Sequence, residues 1–465
     1  MEAGQEKTQL VHIQQQQHQG NSDSTAFSSL RFVRFNPRFD RQETLDLLQS
    51  ELKAAHQDCR FPIQVPWLLS PKHQLEFFGI PADISLNKMS SFQLGRVYGM
   101  DVTSGAAVAA LLLDIYDQNT DGSDEKPDQS RSQKESLRVL DLCCAPGLKL
   151  CMIADLVHSN SSLVGVDVSK QRLSLCKNII QKYHIDNTTS GMNLSENAEE
   201  VKARKRRVNI QLYCGDGTTY NGEQSAASEL VFDSTSAIEE LLTRGKRKRM
   251  NKSARAREKR RLLELGSKLP NPHNASSNKS NVYETEQLFH FESNIQIDSV
   301  DEKLATATTQ TLFDRVLVDA ECSSDGAIRH IQKRQSSTVL KEAAWTDSNL
   351  DELIDLQKRL IDSGYRLLES GGILVYSTCS LSKRQNEEVV NWLLNKYNES
   401  FIIPVSFGDS SELEFIQVGG IPGTVRFNPF VSRDEPINSN EHSMLAGGGF
   451  FLAKLGKMRR NDSLD

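Results

Sequence analysis

From Leu30 the chain first alternates and then turns helical. "LRFVRFN" sets apolar against polar positions in strand fashion, "DRQETLDLLQSELKAA" has an acidic start and a helical apolar period, and "IQVPWLL" reads as extended. These segments predict a small α+β module over residues 30–104. "TSGAAVAALLLDIY" predicts an apolar helix capped by Thr103 or Ser104. Beyond residue 136, strands and helices take turns. Near-continuous apolar runs at 137–143, in "SSLVGVDVS" and "VNIQLYCGDG", at 314–321 and in "GGILVYSTC" predict five strands. Helical stretches separate them: 147–159, "SKQRLSLCKNIIQKYH" with Leu173, Cys176 and Ile180 on one face, and 349–369. The last carries Leu350, Leu353, Ile354, Leu360, Ile361, Leu367 and Leu368 at three/four spacing. "RQNEEVVNWLLNKY" predicts another helix, and "TVRFNPF" and "GGFFLAKL" two closing strands. Apolar strands alternating with amphipathic helices imply an α/β fold whose parallel sheet is covered on both faces.

Three stretches fall outside this rhythm. Residues 1–29 are polar and Gln-rich and read as a disordered tail, and 457–465 as a short closing tail. Residues 221–310, about ninety positions with a Ser/Asn-rich stretch and acidic patches, read as an insertion between the third and fourth strands, helical near 254–266 and otherwise flexible. The main domain then runs from 105 to 456. The chain's 465 residues suffice for two or three domains. The net charge of −6 conceals a local asymmetry: residues 117–135 lean acidic, whereas 244–261 hold eleven Lys/Arg against one Glu. Such a basic run predicts a polyanion partner, a nuclear or nucleolar address, or both. "RFVRFNPRF" also offers charge and rings to RNA, although Phe32 and Phe35 suit a core better.

The eight cysteines show no paired Cys-x-x-Cys spacing, so no metal is expected. With no evident secretory signal and no apolar run of membrane length, reduced thiols are the expectation. The informative residues lie at strand ends. Asp141, Asp167, Asp216 and Asp319 end four successive strands, which brings four acids to one sheet edge. Ligands of open α/β sheets bind at that edge. One acid can take two ribose hydroxyls and another an adenine edge, and the set suits a nucleoside bearing positive charge, as in S-adenosylmethionine. The loop Cys143, Cys144, Ala145, Pro146, Gly147, Leu148, Lys149 opens the first helix beside them, and Gly147 lets backbone approach a ligand closely. No G-x-G-x-x-G loop appears, which disfavours a dinucleotide.

Cys322 follows the fourth strand and Cys379 the fifth, so both sulfurs can enter one cleft. A thiolate adds well to an electron-poor ring carbon. Sulfur on carbon 6 of a pyrimidine makes carbon 5 able to take a methyl from a sulfonium, and a base must then remove the carbon-5 proton. Asp319 and Cys322 are placed for that acid/base work.

Together these segments resemble the Sun-type (RsmB-like) RNA cytosine-5 methyltransferases. "LDLCCAPGLK" is similar to the family's cofactor loop, "GVDVSKQRL" to its ribose-binding segment and "CGDGT" to its adenine-side segment. "VDAECSSDG" resembles its Asp-x-Pro-Cys motif, "STCSLSKRQNEEVV" its Thr-Cys-Ser motif, "YGMDVTSG" its lead into the first helix and "GGFFLAKL" its closing strand. The resemblance spans about residues 30–220 and 310–456. It implies a Rossmann-like S-adenosylmethionine-dependent sheet acting on rRNA or tRNA, with Cys379 as nucleophile, Cys322 as the release thiol and Cys143 to Lys149, Asp167, Asp216 and Asp319 around the cofactor. Lys149 is expected to pair with the cofactor carboxylate or the neighbouring acids. The chain departs from the family at Glu321, where proline is usual, and at Leu148, where glycine is usual. Glu321 is expected to raise the pKa of Cys322 and retune product release. The competing reading is a catalytically weak RNA-binding or ribosome-assembly protein that keeps the fold, expected to be monomeric like the enzyme. Amine methylation lacks its Asn/Asp-Pro-Pro-aromatic tetrapeptide here, and DNA cytosine methylation its Pro-Cys.

Overall fold

The computed structural model describes residues 30–55, 60–113, 136–185, 208–222, 228–238, 311–327, 347–407, 415–428 and 447–459. The N-terminal tail, the acidic stretch at 117–135, the basic run at 244–261 and the last six residues lie outside them. The chain divides into one unit of Met1–Thr235 with Gln310–Asp465 and another of Ser236–Thr309. Of the described residues, all but 236–238 belong to the first unit.

Strand β1 (Leu30–Phe35) keeps the alternation expected of it, and both of its faces are buried. Val33 and Phe35 pack with Leu48 and Leu52 of helix α1 (Arg41–Ala55), while Arg34 turns the other way and is fully buried. β1 lies between β3 (Phe77–Pro81) and β4 (Val97–Gly99), and β2 (Ile63–Gln64) completes an antiparallel sheet in the order β2-β3-β1-β4. These strands and α1 make a four-stranded antiparallel sheet with one helix, in the same unit as the second sheet. One detail differs from expectation, and one bears it out. "IQVPWLL" yields only the two residues of β2 before Pro66 starts a short 3-10 turn. Phe32 and Phe35 are buried, which removes them as stacking surfaces for RNA.

Helix α2 (Val102–Leu112) is buried along nearly its whole length. Its cap is Asp101, whose carboxylate accepts from the Thr103 N–H at 3.0 Å, rather than Thr103 or Ser104. An aspartate in extended backbone just before the first turn competes better for the free N–H groups. The second sheet runs β12-β13-β14-β10-β9-β5-β6-β7-β8, from β5 (Arg138–Asp141), β6 (Ser162–Asp167), β7 (Asn209–Gly215), β8 (Ser228–Asp233), β9 (Phe313–Asp319), β10 (Leu368–Thr378), β12 (Ile416–Val418), β13 (Val425–Phe427) and β14 (Phe450–Lys457). β11 (Ser400–Ile402) pairs with β14 off this path. The centre, β7-β6-β5-β9-β10, is parallel as expected, and both flanks are antiparallel, so the sheet is mixed. β8 lies inside the stretch read as an insertion from residue 221, yet it is an edge strand of the main sheet.

Helices α3 (Leu148–Leu156) and α4 (Lys170–Ile180) form one layer with α2, and α5 (Asp347–Arg366) and α6 (Glu387–Lys396) form another. Leu140, Val166, Val316, Val318 and Tyr376 of the sheet pack with Ile354, Leu360, Ile361, Val389 and Leu393. α5 stops at Arg366, short of the expected 369, and Leu368 instead pairs with Phe313 across β10 and β9. A register shift between Leu368 and Ile373, with Gly371 at φ +81°, lets β10 begin that early.

Candidate active site

Parallel pairing puts the carboxyl ends of β6, β5, β9 and β10 on one edge. Asp167, Asp141 and Asp319 end three of these strands, and Ser377 lies beside Asp319 in the register of β10. The expected row of acids exists, and its members differ sharply in setting. Asp141 is 1% exposed, and no side chain among the described residues donates to either of its carboxylate oxygens; the Cys143 backbone N–H is near enough to favour its charge. Burial pushes its pKa up to about 7, against the pull of Lys149 and with the help of Asp319 and Asp167. Asp167 is buried but served: Oδ1 accepts from the Ser169 N–H at 2.9 Å, and Oδ2 faces the Ala145 N–H at 3.3 Å and Arg172 at 3.4 Å. Asp216, one residue beyond β7, is exposed and turns Oδ1 back to the Thr218 N–H at 2.8 Å.

The loop between β5 and α3 covers this edge. Gly147 has φ +101°, a conformation that favours glycine, and a side chain there would press on Cys176 at 3.2 Å. Cys144 is buried with its sulfur against Gly165, so it shapes the loop from beneath, whereas Cys143 is half-buried and Pro146 exposed. Burial and then Asp141 raise the Cys143 thiol well above its ordinary value, so it stays protonated. Lys149 Nζ donates to Asp319 Oδ2 at 2.7 Å and to Ser104 Oγ at 3.1 Å. Of the two partners expected for it, it takes the acids. Burial opposes its charge, but Asp319 and then Asp141 outweigh burial and hold its pKa above the ordinary value. Ser377 Oγ donates to the other oxygen of Asp319 at 2.7 Å.

The two sulfurs of Cys322 and Cys379 lie 3.2 Å apart. Their environments push them in opposite directions. Cys379 falls below its ordinary pKa because Cys322 donates to it, aided by Ser324 and Lys149 and opposed by burial and Asp319. Cys322 rises well above, first through the same contact with Cys379 and then through burial. Of the two, Cys379 is the thiol that ionises first and Cys322 the one that keeps its proton. Glu321 is exposed and is not among the leading causes of the Cys322 shift, which are Cys379 and burial rather than the adjacent carboxylate. The backbone turns the Glu321 carbonyl inward to Gln357 Nε2 at 2.8 Å and leaves the carboxylate facing solvent, where water screens it.

A buried polar network joins the two cysteine loops. Gln385 Oε1 accepts from the Ser323 N–H at 3.0 Å, its Nε2 donates to Ser323 Oγ at 2.8 Å, and Gln357 Nε2 reaches Gln385 Oε1 at 3.2 Å. Gly326 N–H donates to the Cys379 carbonyl at 3.0 Å, and Asn386 holds Thr378 Oγ1 at 2.6 Å and the Ser380 carbonyl at 2.9 Å. Ser104, Ser377, Ser324 and Gln385 escaped the sequence reading. Single polar residues at loops have no periodic signature, and only register or packing brings them here. Val168 escaped too: it directly follows Asp167 and is 71% exposed, an apolar face on the ligand edge. Among the described residues no cluster of His, Cys, Asp or Glu forms a metal site, and no helix is long and apolar enough to cross a membrane.

A family profile described as "16S rRNA methyltransferase RsmB/F" matches residues 130–218 and 271–455, more than half of the chain. Ribosomal RNA small subunit methyltransferase F of Klebsiella pneumoniae (strain 342) is 38% identical over 115 residues, 24% of this chain and 22% of that protein. Its counterpart in Escherichia coli O6:H1 is 35% identical over 166 residues, 36% of this chain and 30% of that protein. The chain thus aligns with less than a third of either relative. The crystal structure of PH0851 superposes with a TM-score of 0.51 at 17% identity, covering 93% of this chain and 60% of that one, a likeness of fold.

Proposed function

From the premise that the chain belongs to the RsmB/F family of RNA methyltransferases, we propose that it methylates carbon 5 of a cytosine in RNA, ribosomal RNA first, through a covalent bond between Cys379 and the base. The observation that carries this reading is the pair of sulfurs 3.2 Å apart, one disposed to be thiolate and the other thiol, beside the Lys149–Asp319 pair.

The cofactor is S-adenosylmethionine, and the residues present fit it. Asp141 is a buried carboxylate with no side-chain donor, which suits a cationic ligand, and Asp167 has its carboxylate fixed at the sheet edge where a ribose would lie. Val168 offers an apolar face to a flat ring. When bound, the cofactor supplies an electrophilic methyl group. The chain's own groups do the rest. The Cys379 thiolate adds to carbon 6 of the cytosine and loads electron density onto carbon 5. Asp319, fixed by Lys149 and Ser377, faces the base with an oriented carboxylate and takes the acid/base role at its nitrogen edge. Once carbon 5 is substituted, Cys322 gives up its own proton to solvent and as a thiolate takes the remaining carbon-5 proton, and the bond from Cys379 to carbon 6 breaks with its electron pair returning to the Cys379 sulfur. A stacked base cannot reach a sulfur recessed behind strand ends, so single-stranded or loop RNA is the substrate form. The basic run at 244–261 is proposed, on charge alone, to serve RNA, a nuclear address, or both.

Trapping the covalent complex tests the reading. Incubated with cofactor and cytosine-containing RNA, Cys322→Ala should accumulate an RNA–protein adduct that survives denaturing electrophoresis, and Cys379→Ala should form none. The reverse pattern exchanges the roles. Absence of adduct in every form, together with no methyl transfer by the unaltered protein, would favour a scaffold that keeps the fold without turnover.

A further inference from the structure

Ser324 stands beside the two sulfurs and takes no part in the steps above. Cys379 Sγ donates to its hydroxyl oxygen at 3.5 Å, Cys322 Sγ lies 3.9 Å from that oxygen, and the hydroxyl itself donates to the Cys322 carbonyl at 3.4 Å. Its backbone sits at φ +53°, a region that disfavours side chains and in which glycine rests without cost. Among the described residues only Gln74 shares that feature. The loop does not need the Ser324 hydroxyl to keep its shape. Ser323 is tied to Gln385 and to Ser380, Asp325 accepts from the Leu381 N–H at 3.1 Å, and Gly326 is bonded to the Cys379 carbonyl. A serine kept in strained backbone, with its hydroxyl oxygen in hydrogen-bond reach of a reactive sulfur and most structural duties held by its neighbours, marks a group with a use of its own.

We propose that Ser324 is a third catalytic residue, whose hydroxyl turns from the Cys322 carbonyl to donate to the Cys379 sulfur once that thiol has lost its proton, and so keeps it in the attacking, anionic form. The proposal takes its catalytic meaning from the covalent reading above. No proton changes hands through Ser324; the hydroxyl keeps its own and only orients it. The other groups facing Cys379 are Cys322, which also donates to it, Lys149, which favours its charge, and Asp319, which opposes it, with Asp325 on the neighbouring turn. A hydroxyl is the one donor in this set that carries no charge and does not itself have to be deprotonated later in the cycle. Cys322 is consumed as a donor once it acts as the base, whereas Ser324 is available at every return of the thiolate.

The test uses the full chain and two variants. Ser324→Gly removes the hydroxyl and relieves the backbone, so its Tm should not fall; Ser324→Ala removes the hydroxyl alone. Alkylation of Cys379 by iodoacetamide, followed by peptide mass spectrometry from about pH 6 to about pH 10, reads the midpoint of thiolate formation. Both variants should show a midpoint about one pH unit higher than the unaltered protein, as the loss of a weak hydrogen bond to a charged sulfur implies. Adduct formation with RNA in the Cys322→Ala background should slow about tenfold near pH 7 on adding Ser324→Gly. An unchanged midpoint in both variants overturns the proposal. The alkylation assay contains neither RNA nor cofactor, so a shifted midpoint with no adduct in Cys322→Ala itself would tell against the covalent reading alone.

Discussion

Asp141 shows how one residue can trade stability for a binding site. It is fully buried, and its pKa is lifted to about 7. A carboxylate raised above its unfolded value contributes stability that is complete below that value, near 4, and is lost as pH rises through about 7. The loss amounts to at most about 4 kcal/mol. Asp141→Asn is therefore expected to raise Tm at pH 8 by several degrees and to leave it nearly unchanged near pH 4, which thermal unfolding at the two values checks. The same change removes the charge that would meet a cationic ligand. In the unaltered protein, affinity for S-adenosylmethionine should climb between about pH 6 and about pH 8 as Asp141 ionises. In Asp141→Asn calorimetry should find weaker binding without that climb, and a preserved slope would assign it to another group. Glu321 makes the contrast. Its carboxylate is exposed, so Glu321→Gln should leave single-turnover release unchanged within about twofold, because water screens such a charge.

At the level of elements, the legible parts were those whose burial writes itself into a run of residues. β5, β6, β7, β9 and β10 each carry a buried apolar stretch because helices cover both faces, and each ends in or beside the acid or thiol that marks the ligand edge. β3 went unread because "FFGIP" is five buried residues with neither alternation nor length. β8 went unread because it sits at the sheet edge, where only Phe232 is buried, and so looks like the polar chain around it. The site followed the same divide. Cys322, Cys379 and the acids were visible as strand ends, while Ser104 and Ser377 reach Lys149 and Asp319 through packing and register alone. α2 shows what that packing demands. A side chain at Gly105 would lie 2.3 Å from the Phe77 ring of β3. Gly105→Ala must push α2 away from β3, and overpacking of this kind costs about 1–3 kcal/mol. Because Ser104 is the adjoining residue, the variant should lose turnover beyond what its denaturation midpoint explains. Urea unfolding and single-turnover methylation, measured side by side, separate the two effects.

Across the whole molecule, the question is what joins the N-terminal module to the sheet that carries the chemistry. Arg34 of β1 and Asp155 of α3 form an ion pair at 2.6 Å with both side chains fully buried. Arg34 also lies over the Tyr98 ring at 4.1 Å, Tyr98 donates to Asp155 Oδ2 at 2.9 Å, and Arg38 reaches Asp155 Oδ1 at 3.2 Å. Burial would raise the Asp155 pKa, but Arg34, His184 and Arg38 together hold it below its ordinary value. This carboxylate therefore stabilises the fold above the unfolded carboxylate range and ceases to do so as pH falls below it, the opposite sign to Asp141. A charge pair in such a place is weak evidence of net stabilisation, because desolvation offsets most of the attraction; its value lies in forbidding any arrangement that parts the two charges. Breaking one side leaves a buried cation, so Asp155→Ala should lose about 3–5 kcal/mol in urea unfolding. Arg34→Met with Asp155→Leu removes both charges at similar volume and should recover most of that loss. If the double variant regains stability but not methyl transfer, the pair serves to fix the module's place beside α3 and the loop that precedes it. If it regains both, apolar packing alone suffices to seat the module. If it regains neither, the remaining partners of Asp155, Tyr98 and Arg38, carry the joint.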